Sequence, residues 1–167
     1  SMGGLVALLA TMKHGLSGVK SSCFCAPLLD LSMPVPFPKK VVAFTLSNIW
    51  GSLQIPSDLN LNTLSHDKSV GPCYKADLLN HNVSTPKWYV ELLSATRELR
   101  ELSVGMMMPP LFLVATDDRI VSASAIEDYF NQLNHPEKKL IRYEGFFHEI
   151  FNEGEVSGGI GREKAFG

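Results

Sequence analysis

Ser1-Met2-Gly3-Gly4-Leu5-Val6-Ala7-Leu8-Leu9-Ala10 opens the chain, and its reading decides the fold. A serine, one further residue and two glycines run directly into an alanine- and leucine-rich stretch. That order reads as the second half of a Gly-x-Ser-x-Gly turn, where a strand bends sharply into a helix. At the glycines a Cβ would press on the neighbouring strand or helix, and the turn itself is strained. The hydroxyl of Ser1 is then exposed at the top of a parallel sheet, with the Met2 amide facing the same space. The helix behind it is expected over Met2 to Lys13, with Gly15 as its C-cap. Apolar nearly all round, it suits packing beneath a sheet.

Working outward, Gly18 to Ala26 reads as a short buried strand ended by Pro27. Four prolines then fall between Pro27 and Pro38, which excludes a regular helix there. Lys39 to Trp50 has helical spacing, with Val42, Leu46, Ile49 and Trp50 as its apolar stripe. A second helix is expected from Thr85 to about Leu102, with Ser84 or Thr85 as N-cap and Pro86 in the first turn. The segment between Leu28 and Met108 shows no clear strand. Leu111-Phe112-Leu113-Val114-Ala115 is a continuous apolar run, the mark of a central parallel strand. Ala123 to Leu133 has a helical face of Ile126, Tyr129, Phe130 and Leu133, and Lys139 to Tyr143 alternates like a strand nearer the sheet edge. A further helix is expected to begin over Phe147 to Phe151 and to dissolve into the glycines from Gly154 onward. The division expected is core over 1–27, a helical cap over 28–108 and core again over 109–167.

The bulk numbers set the class. At 167 residues the chain suits one domain, with 45% hydrophobic and 19% charged residues. A net charge of −2 and a pI near 6.2 give no footprint for nucleic acid. No apolar run is long enough to span a bilayer. The three cysteines, Cys23, Cys25 and Cys73, have no framework or metal-ligand spacing and read as reduced thiols. Cys23 and Cys25 share one strand face and read as small buried hydrophobes. No cofactor or metal is called for.

Two further stretches complete a chemical set. Asp117 and Asp118 follow the central strand, where a loop acid would face the first turn. His148, in Tyr143-Glu144-Gly145-Phe146-Phe147-His148-Glu149, lies just past the last strand, after a glycine that lets the chain fold back. Serine, acid and histidine thus occur in the chain order used by one class of nucleophilic sites. The other histidines, His14, His66, His81 and His135, read as surface or capping residues.

Ser-Met-Gly-Gly, Asp-Arg-Ile-Val at 118–121, Tyr-x-Gly-aromatic-aromatic-His-Glu at 143–149, Leu-Ser-x-Asp at 64–67 and Tyr-x-Ala-Asp at 74–77 together carry a resemblance. The chain resembles the α/β-hydrolase superfamily, most closely its monoacylglycerol lipase and lysophospholipase branch of serine aminopeptidase S33-type hydrolases. The resemblance implies an α/β fold with a helical cap inserted in it, beginning at the nucleophile elbow and so lacking the earlier strands. It implies Ser1 as nucleophile, His148 as base and Met2 N–H as one oxyanion donor. The family pattern selects Asp118 over Asp117 as the acid, although Ala115 stands where the family usually has glycine. The second oxyanion donor is expected from a loop after an earlier strand.

The activity implied is cleavage of carboxylic esters of lipids, such as monoacylglycerols or lysophospholipids, through an acyl-enzyme. The cap residues Phe37, Val41, Val42, Phe44, Leu46, Ile49, Trp50 and Leu53 would line an apolar tunnel or pack the cap onto the core. The implied partners are a small lipid ester and, transiently through the cap, a membrane surface, in a cytoplasmic or peripheral setting. The alternative is a hydrolase-fold protein without catalysis that serves as a binding module. A dehalogenase reading would need an aspartate in place of Ser1.

Overall fold

A computed structural model describes residues 1–57, 59–102 and 106–154. Its centre is a three-stranded sheet in the order β1-β4-β5, all parallel, formed by Ser22–Cys25 (β1), Pro110–Ala115 (β4) and Lys139–Tyr143 (β5). β4 is the middle strand. Phe24 lies opposite Phe112 in one pairing and Phe112 opposite Leu140 in the other. A strand paired on both sides has both faces to bury, and Phe112, Leu113, Val114 and Ala115 are all buried.

Helix α1 runs Met2–His14 and stops where Gly15 adopts the left-handed conformation (φ 59°), its amide returning to the Thr11 carbonyl. This is the expected C-cap. Leu5 and Leu8 of α1 pack with Phe24, Phe112 and Val114, with Leu92 and Leu99 of α4 (Pro86–Glu101), and with Ile126 and Tyr129 of α5 (Ala123–Gln132). One face of the sheet thus carries the main core. A smaller cluster of Leu113, Ala115, Tyr143, Phe146 and Ile150 occupies the other.

α4 begins as expected. Thr85 accepts the Trp88 amide on its side chain at 3.1 Å, and Pro86 sits in the first turn, where no intrahelical donor is needed. Ser122 caps α5 in the same way through Ala125 N. At the far end of α5, Lys138 Nζ donates to the carbonyls of Phe130, Asn131 and Leu133 at 2.7–3.2 Å, placing a cation on the negative end of the helix.

Several expectations are corrected. Helix α2 spans Phe37–Trp50, two residues longer than expected, because Pro38 fits the first turn. No residue of α2 is buried: Phe37, Val41, Val42, Phe44, Ile49 and Trp50 are exposed, and only Leu46 of the expected stripe is half-buried. The helix packs chiefly against α4, along a narrower line than its composition suggested. The segment before α4 holds strand pairing too. Ile55–Pro56 (β2) and Val83–Ser84 (β3) form a two-residue antiparallel ladder, too short to show as periodicity, with the helix Val70–Ala76 (α3) between them.

β1 is shorter than expected, chiefly at its start: Gly18, at φ 93°, belongs to a turn and the strand begins only at Ser22. At the other end the chain leaves the sheet at Ala26, which has φ 39°. Cys23 is exposed and Cys25 half-buried, since β1 is an edge strand and it is Phe24 that faces the core. Finally, the helix expected over 147–151 is only a 3₁₀ turn at Ile150–Asn152. Glu153, just beyond this turn, folds its side chain back onto the Phe147 amide. Residues 155–167, including most of the terminal glycines, lie outside the described residues.

Replacing Thr85 by alanine is expected to lower the unfolding free energy by about 1 kcal/mol, with serine retaining most of it. Urea melts of the two variants check this.

Candidate active site

Parallel strands deliver their C-terminal ends to one edge of a sheet, so the loops that leave β1, β4 and β5 share a neighbourhood. Ser1 joins them from the start of α1. Its carbonyl accepts from Gly4 N (3.0 Å) and Leu5 N (3.3 Å) within the helix, and from Leu28 N (3.1 Å) just past β1. Gly4 permits this closeness: a Cβ there would lie 2.8 Å from Pro27 Cβ and 3.0 Å from Pro27 Cα. Gly3 is different, since a Cβ on it meets nothing within 4 Å among the described residues. Only one of the two glycines is therefore explained by a close approach. The Ser1 side chain makes no cap hydrogen bond and is exposed.

The acid loop follows β4. Asp118 is buried, and its Oδ1 accepts the amides of Ile120 (2.8 Å) and Val121 (2.9 Å). Its Oδ2 bonds to His148 Nδ1 at 2.7 Å. Asp117 is exposed, with its amide on the Phe146 carbonyl. The histidine contact thus belongs to Asp118. The loop is laced to the chain after β1 by Ser32 Oγ to the Asp118 carbonyl (3.0 Å), Ser32 N to the Ile120 carbonyl (3.0 Å) and a bridge between Leu31 and Val121.

The histidine loop follows β5. Gly145, at φ 75°, turns the chain back, and its amide donates to Thr116 Oγ1 at 2.8 Å. His148 is itself buried. An ionised carboxylate only accepts, so Nδ1 carries the proton in this pair and Nε2 keeps a free lone pair. That is the arrangement of an imidazole prepared to take a proton.

The structure therefore joins Asp118 to His148 directly. Among the described residues no hydrogen bond links the Ser1 hydroxyl to His148. Burial is the main cause that pushes the thiol of Cys25, the last residue of β1, up to about 11, and Cys23, Glu149 and Asp118 raise it further.

Composition-based reading missed one buried acid. Glu153, four residues beyond Glu149, is buried and bonded to Ser65 and to His66, which is itself exposed as expected. The signal available was an acid in a short apolar stretch behind the histidine. No group of three metal-ligating side chains exists among the described residues, and no helix there is long and apolar enough to cross a membrane.

Residues 1–155 match the family described as serine aminopeptidase, S33. The chain belongs to that family of α/β-hydrolases. It is 28% identical over 156 residues to phospholipase YtpA of Bacillus subtilis, covering 93% of this chain and 60% of that protein. An uncharacterised abhydrolase domain-containing protein of Dictyostelium discoideum is 26% identical over 157 residues, 92% of this chain and 16% of the relative. Among solved structures, the monoacylglycerol lipase of Paleococcus ferrophilus superposes with a TM-score of 0.85 at 23% identity, over 93% of this chain and 60% of that one. A soluble variant of monoglyceride lipase from Saccharomyces cerevisiae, bound to a substrate analogue, gives 0.75 at 21%, over 93% and 57%. The fold is thus that of the α/β-hydrolases, and the chain spans about three-fifths of the Bacillus relative.

Iodoacetamide should alkylate Cys25 slowly below pH ~10, with the rate rising through about pH 11 as the thiol ionises. A pH series on the wild-type chain, with alkylation read at Cys25 by peptide mass spectrometry, checks this; half-maximal alkylation near pH ~8.5 would contradict the burial described.

Proposed function

We propose that these residues form the acyl-transfer site of a serine hydrolase acting on carboxylic esters of lipids. The observation that carries the reading is the buried Asp118–His148 pair, which leaves Nε2 as a base. In this scheme Nε2 takes the Ser1 hydroxyl proton as the oxygen attacks the ester carbonyl. The proton then passes to the leaving alcohol, and an acyl-enzyme remains for water to cleave. Asp118 keeps the imidazole in one tautomer and stabilises the imidazolium. Met2 N–H, at the positive end of α1, donates to the oxyanion.

Support for a lipid acyl group comes from a pocket of about 210 Å³ beneath α2 and α4, lined by Leu28, Leu31, Val35, Leu92 and Leu93 among others. Leu28, whose amide holds the Ser1 carbonyl, is one of its lining residues, beside the polar Asp30, Lys40, Tyr89 and Thr96. Phospholipase and monoacylglycerol lipase relatives favour the same substrate class. Phe37, Val41 and Phe44 are exposed and share one face of α2, which suits transient contact with the lipid surface that supplies such an ester.

A fluorophosphonate probe tests the reading on the full chain. Wild type is expected to label, and Ser1→Ala not to label at all. Asp118→Asn should slow labelling by about ten-thousandfold. A folded protein that never labels supports the non-catalytic binding module instead.

A further inference from the structure

Among the described residues, Glu153 is the one buried carboxylate near the site that the proposed chemistry does not use, and its side chain has no exposed surface. Its oxygens accept from two separate segments. Phe147 N, immediately before His148, donates to Oε1 at 2.6 Å. From residues 64–67, His66 N donates to Oε2 at 3.0 Å and Ser65 Oγ to Oε2 at 3.2 Å, while His66 Nδ1 lies 3.1 Å from Oε1. Ser65 Oγ also reaches the Asn152 carbonyl at 2.9 Å and receives the Asp67 amide at 3.0 Å.

The same two segments meet again on the other side of the histidine. Glu149 N donates to the Leu64 carbonyl at 2.8 Å. The amides of the residues on either side of His148 are therefore fastened, Phe147 N to a carboxylate and Glu149 N to the strap at 64–67. The rings follow the same geometry: His66 stacks on Phe147 with centroids 3.8 Å apart, and the Arg119 guanidinium lies 4.6 Å from the Phe147 ring centre. Arg119 is in turn the neighbour of Asp118. The strap thus bears on the acid loop as well as on the histidine loop.

We propose that Glu153 is a positioning residue for His148, locking the 64–67 strap to the histidine loop so that the imidazole stays fixed against Asp118. The proposal rests on His148 being the base, as argued above. The carboxylate is needed as an acceptor only. Glutamine in its place presents an N–H₂ group to one set of donors, so at least one buried donor loses its partner. The flanking peptide then has another resting place, and a displacement near 1 Å at a proton-transfer group costs on the order of a hundredfold in rate.

The test uses the full chain carrying Glu153→Gln, with His66→Ala as a milder second variant that keeps the backbone donors. Two readouts are taken well below the melting temperature of each variant: the fluorophosphonate labelling rate constant, and the low-field proton resonance of His148 Nδ1–H, assigned by its loss in Asp118→Asn. Glu153→Gln is expected to shift or broaden that resonance and to slow labelling about ten- to a hundredfold, with KM for an ester substrate nearly unchanged. His66→Ala is expected to slow labelling by about threefold to tenfold. A purely structural role would lower the fraction folded but leave the rate constant and the resonance of the folded molecules alone. That result in Glu153→Gln overturns the proposal, and should this variant not fold, the same result in His66→Ala does so. A wild type that shows the resonance but never labels would sink the hydrolase reading while leaving the positioning claim open to the resonance test.

Discussion

The parallel pairing of β4 with strands on both sides is the constraint from which the site follows. With β1, β4 and β5 running the same way, the chain must exit every strand at one edge. There the acid loop and the histidine loop are side by side, and α1 enters with the serine against the end of β1. Asp118 and His148 meet without a long excursion by either loop. The sheet supplies direction, and short hydrogen-bonded loops supply the last few ångströms.

Those loops also explain how charged groups are kept at an apolar edge. Asp118 is buried, but each of its oxygens has a donor: two amides on Oδ1 and an imidazole on Oδ2. Glu153 is treated alike, with amide, hydroxyl and imidazole partners. A buried carboxylate without such partners would cost several kcal/mol. Satisfied, each one fixes the backbone that supplies its donors, so the same bonds that make burial tolerable also set the loop geometry.

How much of this was legible in the sequence depends on the range over which each feature is encoded. Gly15 announces the end of α1 locally, Thr85-Pro86 the start of α4, and the run from Leu111 to Ala115 a strand buried on both faces. The choice of Asp118 over Asp117 came from the pattern of neighbours, and the histidine contact follows the same choice. What the sequence hid is long-range. The strap at 64–67 meets Glu153 across nearly ninety residues, and nothing local marks His66 as one of its partners. α2 misled in the opposite way: its helical spacing is real, but what covers its stripe is a property of the neighbours, and among the described residues α4 covers little of it.

The triple acceptance by the Ser1 carbonyl leaves that residue oddly divided. Its peptide group is held from three directions, by two amides of its own helix and one from the loop beyond β1, while its hydroxyl caps nothing. Motion is then confined to a single torsion, χ1, with three staggered wells. Any reorientation of the hydroxyl is a rotor step within a stationary frame, on the timescale of side-chain hops rather than of loop rearrangement.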